Sequence, residues 1–180
     1  EGKEIRPDYF YLFPELILSS QKKIDASSGF DAISQAIESI FSLKSNKQSI
    51  FFATNALKIL VKNYLLFCKS KNINNSYKMQ LGANLAGKAI DISKTIAPHA
   101  ISYPFTSMYG VPHGHAVSLS LNQILKFNYF NQNKISDSNF NLKKRYKLVF
   151  EITNTKNIYE LDDFINSLKQ KANLTQNLAK

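Results

Sequence analysis

Asp31 and Gln35 stand four residues apart, and His99 and His113 bracket a stretch interrupted by Pro104, Gly110 and Pro112. On a helix an i, i+4 pair shares one face, so the Asp31 carboxylate and the Gln35 amide can aim at a single point. The breaks between the two histidines let the chain fold back and turn both imidazoles toward one place. One carboxylate and two neutral imidazoles, with or without an amide oxygen, make a donor set suited to Fe(II) or Zn(II). By type and spacing alone, such histidines are more often satisfied structural residues than ligands. All three histidines of the chain, His115 included, fall in this segment.

Such residues need a scaffold, and the hydrophobic pattern supplies a mainly α one. The spacing predicts a helix over 31–43, with Ile33, Ile37, Ile40 and Phe41 on one side and Asp31, Gln35, Glu38 and Ser42 as a polar stripe on the other. Residues 48–69 read as a core helix with a broad apolar face. Residues 78–92 read as a helix whose Gly82, Ala83, Ala86, Gly87 and Ala89 leave room for another backbone. Around these, 8–13 has the composition of a short strand, 26–30 that of a turn, and 93–115 that of irregular chain with two short apolar stretches. Helical character returns over 116–127, a polar loop follows over 128–141, and 142–152 and 159–171 form two last helices.

The chain has 180 residues, 44% of them hydrophobic, with thirteen Phe and nine Tyr, which is ample for one folded core. Its formal charge of +10 raises the question of nucleic acid, but Lys is spread throughout the sequence. The one basic cluster, Lys143-Lys144-Arg145, lies between apolar Leu142, Tyr146 and Leu148 and reads as a solvated helix face, so no nucleic-acid partner is expected. Cys68 has no partner for an internal disulfide, and neither a signal peptide nor an apolar run of membrane-spanning length is read, so a cytoplasmic protein without a membrane partner is expected. Because the sequence opens on Glu1, it is expected to be a piece of a longer protein.

Three stretches carry a resemblance. The run Gly29-Phe-Asp-Ala-Ile-Ser-Gln-Ala-Ile-Glu-Ser39 is similar to the segment of iron-type (group III) alcohol dehydrogenases in which Gly-x-Asp-Ala-x-x-His-Ala-Ile-Glu supplies two metal ligands. Ala97-Pro-His-Ala-Ile-Ser-Tyr-Pro104 and Tyr109-Gly-Val-Pro-His-Gly-His-Ala116 resemble the family's second signature, whose two histidines are the other ligands. The opening Arg6-Pro-Asp-Tyr9 and Pro14-Glu-Leu16 look like the segment joining the family's two domains. The resemblance implies a helical C-terminal domain of the dehydroquinate synthase-like, iron-type alcohol dehydrogenase kind over 26–180, itself incomplete at its end, and a connecting segment with a short strand over 1–25. It implies Asp31, Gln35, His99 and His113 at one divalent metal, Fe(II) or Zn(II).

The sequence departs from the family pattern at two positions. Gln35 stands where many members have a histidine, and its neutral carbonyl oxygen is a weaker donor; it is a ligand, a partner of a ligand, or a bystander. Tyr103 stands where the family has a second histidine near the substrate, and a free phenol titrating near 10 is a poor base at neutral pH. Tyr103 and the extra His115 are the candidates for moving a proton. The implied reaction is hydride transfer between NAD(H) or NADP(H) and a small aldehyde or alcohol, with the metal polarising the oxygen. No G-x-G-type phosphate loop occurs in the chain, so the nucleotide is expected on an N-terminal domain that acts as partner, and a homo-oligomer is left open. Gln35, Lys94 and Pro112-His-Gly-His115 together look like a branch that includes phosphonoacetaldehyde reductases, with Lys94 as the cation for the substrate's anionic end. The alternatives are a glycerol dehydrogenase-like or dehydroquinate synthase-like enzyme, or an inactive helical module.

Overall fold

The computed structural model describes residues 7–134 and 140–174. Within them seven helices follow one another: α1 (Lys22–Phe41), α2 (Lys47–Lys69), α3 (Ile73–Ser93), α4 (Ala97–Tyr109), α5 (His113–Phe130), α6 (Leu142–Thr153) and α7 (Ile158–Lys171), with 3-10 turns at Pro14–Ile17 and Gln132–Lys134. Asparagines mark several starts. Asn46 and Asn72 each accept from the backbone N–H three residues on, while Ser49 and Asn75 return a bond to the cap, so α2 and α3 open on reciprocal capping boxes. Asn141 and Asn157 cap α6 and α7 in the simpler way.

Helix α1 lies at the centre, packed against α2, α3, α5 and α6. Phe30, Ile33, Ala36, Ile37 and Ile40 along it are wholly buried or nearly so. Each buried Ile or Phe contributes about 1.5–3 kcal/mol of transfer free energy, so the stripe that the periodicity marks is the main attachment of the domain. Helix α2 is by length and composition able to cross a membrane, with a mean hydropathy of 1.3, which the sequence reading passed over. Its Ala53, Ala56, Leu57, Leu60 and Tyr64 are buried, and α1 and α3 are its main packing partners, so this is a core helix.

Several boundaries differ from expectation. Residues 7–13 form no strand, and there is no strand among the described residues with which they could pair. Instead the segment lies on α3, with the Phe13 carbonyl accepting from Gln80 and the Lys88 ammonium 4.5 Å from the Phe10 ring centroid. Arg6 and residues 135–139 and 175–180 lie outside the described residues. The expected turn at 26–30 is part of α1: Ser28 bonds back to the Ile24 carbonyl, and Gly29 leaves the space that the Tyr64 ring fills. The expected irregular stretch contains α4, because Pro98 falls in the first turn, where no N–H is missed, and Gly110 closes the helix at φ 65. Pro104 sits inside α4 on an exposed turn. Of the basic cluster, Lys143 and Lys144 are exposed, but Arg145 stacks 5.5 Å from the Phe140 ring and bonds Ser45, so it is not simply solvated.

The small residues of α3 divide into two groups. A Cβ on Gly82 would meet Leu60 at 2.7 Å, whereas one on Gly87 would meet nothing within 4 Å. Gly82→Ala is therefore expected to destabilise the fold by about 1–3 kcal/mol through overpacking. Gly87→Ala is expected to stabilise it by about 0.5–1 kcal/mol through helix propensity. Urea unfolding of both variants should give opposite signs.

Candidate metal centre

The polar stripe of α1 faces α4 and α5, and each of those helices brings a histidine in its first turn. His99 Nε2 lies 3.3 Å from Asp31 Oδ1, and His113 Nε2 lies 3.8 Å from the same oxygen. The three donor atoms fall within 4.8 Å of one another, and the two imidazole centroids are 5.3 Å apart at 69°. Such spacing allows one ion to be shared by the three side chains.

Each donor is held from behind. Gln35 gives an amide hydrogen to Asp31 Oδ2 at 2.8 Å. His99 Nδ1 lies 2.5 Å from Glu38 Oε1. Ser102, which donates to the His99 carbonyl at 2.7 Å, lies at a longer 3.5 Å from His113 Nδ1. With both Nδ1 atoms turned to these oxygens, both Nε2 atoms face Asp31.

Asp31 Oδ1 and His99 Nε2 are shielded from solvent, and neither makes a hydrogen bond. A buried polar atom without a partner costs about 1–3 kcal/mol, and a shared cation would satisfy both at once. The residues present therefore fit a divalent metal. Charge points the same way, since Asp31 and Glu38 set two carboxylates against one buried imidazole. Burial disfavours the charged form of His99, but the carboxylates of Asp31 and Glu38 on either side of the ring outweigh it and lift the ring from the ordinary 6.5 to about 9.

Backbone approach sets the distances. Gly114 lies against α1 so closely that a Cβ there would come within 1.9 Å of the Ser27 carbonyl oxygen and 2.7 Å of Asp31 Cβ. Next to it the His115 N–H donates to Ser27 Oγ at 3.1 Å. The first turn of α5, and His113 with it, is thereby pressed onto α1.

Asp31, His99 and His113 lie together, with Gln35 touching Asp31 through its amide nitrogen. Tyr103 is 59% exposed and stacks on His113, centroids 5.9 Å apart at 18°, so it borders the same place. His115 is half-buried on the first turn of α5. Lys94 is the half-buried C-cap of α3, with φ 59 and ψ 174, and its N–H bonds the Ile90 carbonyl. Sequence reasoning placed Glu38 on the polar stripe and Gly114 in a motif without a packing role for either, and assigned none to Ser102 or Ser27. For Glu38 the signal was present, since it stands two helical turns beyond Asp31 on the same stripe.

Residues 25–180 match the C-terminal domain model of the Fe-containing alcohol dehydrogenase family. The chain is 30% identical over 129 residues to a phosphonoacetaldehyde reductase of Streptomyces viridochromogenes, covering 71% of this chain and 33% of that protein. It is 31% identical over 145 residues to a 4-hydroxybutyrate dehydrogenase of Clostridium kluyveri, covering 76% of this chain and 38% of that protein. Among solved structures, sulfoacetaldehyde reductase from Bifidobacterium kashiwanohense, in complex with NAD+, superposes with a TM-score of 0.79 at 29% identity, over 92% of this chain and 42% of that one. The chain thus spans little more than a third of the length of these curated relatives.

The close approach at Gly114 is open to test. Gly114→Ala is expected to lower the unfolding free energy by at least about 1–3 kcal/mol, because both atoms the new methyl meets are backbone or fixed by α1. A chemical denaturation midpoint unchanged from wild type would mean that α5 is not seated on α1 as described.

Proposed function

This chain belongs to the Fe-containing alcohol dehydrogenase family, and we propose that it carries the metal site of a nicotinamide-linked alcohol dehydrogenase or aldehyde reductase. The observation that carries this reading is the pair of buried atoms, Asp31 Oδ1 and His99 Nε2, that face each other without hydrogen bonds beside His113. Asp31, His99 and His113 would hold a divalent ion, Fe(II) or Zn(II), with Gln35 orienting Asp31 and available as a weaker fourth donor. When bound, the ion supplies Lewis acidity to the oxygen of the aldehyde or alcohol while the nicotinamide exchanges hydride with its carbon. NAD(H) or NADP(H) would sit mainly on an N-terminal nucleotide-binding domain, with residues 1–25 as the connection and 26–180 as the helical metal-binding domain.

The chain's own groups have definable tasks in this reading. Asp31 brings negative charge and orientation, and the two imidazoles bring neutral nitrogen. Tyr103, exposed and stacked on His113, and His115 in the same first turn of α5 as His113 are the groups proposed to pass a proton to or from the substrate oxygen. For the substrate, the relatives named above act on small aldehydes or alcohols that carry a phosphonate, a sulfonate or a carboxylate. A small aldehyde with an anionic end, phosphonoacetaldehyde among them, is therefore the proposed class. Lys94, in the turn that leads from α3 to His99, is the proposed cation for that end.

Two experiments on the full-length protein that carries this chain bear on the reading. His113→Ala removes one of the three proposed ligands and is expected to reduce the metal-to-protein ratio severalfold in elemental analysis; an unchanged ratio would remove His113 from the site. Lys94→Ala is expected to lower kcat/KM for phosphonoacetaldehyde roughly tenfold, equivalent to about 1.4 kcal/mol of transition-state binding, while sparing a neutral aldehyde of similar size. Equal losses on both aldehydes would take Lys94 out of the substrate site.

A further inference from the structure

We propose that Glu38 is a positioning residue for the metal centre, selecting the Nδ1–H tautomer of His99 and tying that ring to the first turn of α4. The inference rests on the reading that Asp31, His99 and His113 take up a cation. Glu38 is wholly buried in the middle of α1. Its two oxygens are divided between two tasks. Oε1 lies 2.5 Å from His99 Nδ1, while Oε2 accepts from the Ile96 N–H at 2.8 Å and is 3.5 Å from the His99 N–H. One carboxylate therefore holds both the ring and the backbone that carries it.

An ionised carboxylate can only accept. At 2.5 Å the Nδ1 lone pair would repel it, so the neutral ring must carry its proton on Nδ1 and leave Nε2 free toward Asp31. The same carboxylate takes up an N–H at the start of α4, a helix with no side-chain cap of its own. The chain is delivered there under constraint. Ser42 holds the Ser93 carbonyl at 2.5 Å, Ser39 accepts from the Ser93 hydroxyl at 2.8 Å, and Lys94 takes a backbone conformation, φ 59 with ψ 174, that side-chain-bearing residues rarely adopt. Ring aim and helix start are thus coupled through a single side chain that touches no reacting atom.

The test uses the full-length protein with Zn(II) as probe. Glu38→Gln keeps the shape, but an amide cannot accept at both ends, so one of the two bonds is lost. Chelator competition is expected to show Zn(II) bound 10- to 100-fold more weakly, the range found when the partner of a metal-bound histidine is lost. On a His99→Ala background the same change is expected to move the affinity by less than about twofold, because the residue through which Glu38 acts is gone. A third measurement needs no variant: long-range 1H–15N correlation spectra of the Zn(II)-loaded wild type are expected to show His99 protonated at Nδ1 and metallated at Nε2. The inference is overturned if Glu38→Gln binds Zn(II) as tightly as wild type, if the loss is equal on both backgrounds, or if His99 is metallated through Nδ1. In those cases the site itself stands, whereas a wild type that takes up no Zn(II) overturns the site and this role together.

Discussion

Acidic side chains buried on a central helix have to find donors or positive charge, and the arrangement of α4 and α5 around α1 answers that demand. Glu38 is out of reach of water altogether, and Asp31 Oδ1 is shielded. Leaving such groups unpaired is far more costly than any single apolar contact is favourable. The backbone at the start of α4 and the ring of His99 satisfy the first. The second is left facing two imidazole nitrogens, an arrangement that calls for a cation.

Sterics fix how close those answers can come. Gly114 admits the first turn of α5 against Ser27 and Asp31, and Gly29 admits the Tyr64 ring beside α1, where its hydroxyl donates to the Ala26 carbonyl at 2.8 Å. Farther along, α5 is held by a second polar cluster. The buried Lys169 of α7 bonds Asn122 Oδ1 at 2.8 Å, and Asn122 donates to Asp162 Oδ1 at 2.6 Å. Burial pushes the Lys169 ammonium down to about 8, with Asp162 opposing the shift. Helix α5 is therefore anchored at its first turn by close backbone contact and along its middle by hydrogen bonds, which limits how far His113 can drift.

The two histidines also stand at helix beginnings, and this matters electrostatically. The free N–H groups of a first turn carry partial positive charge. At α4 that charge is taken up by Glu38, and at α5 the His115 N–H is taken up by Ser27.

Much of this was legible in the sequence. The polar stripe of α1 follows from a 3.6-residue period, and the core faces of α2, α6 and α7 follow from apolar spacing, both set by neighbours within a turn or two. The motifs around Asp31, His99 and His113 marked the family and the donor types. What the sequence alone misplaced was local chemistry used for a distant purpose. Gly29 reads as a turn but makes room for Tyr64, and Pro98 lies in a stretch that reads as irregular but opens a helix. The role of Glu38 was invisible because its partner His99 is 61 residues away. Backbone hydrogen bonds within a helix reach only four residues, so a sequence determines periodicity, caps and the kinds of donor it carries. Which atoms meet, at what distance and in which tautomer, is decided only when α4 and α5 pack against α1 and the buried carboxylates take their partners.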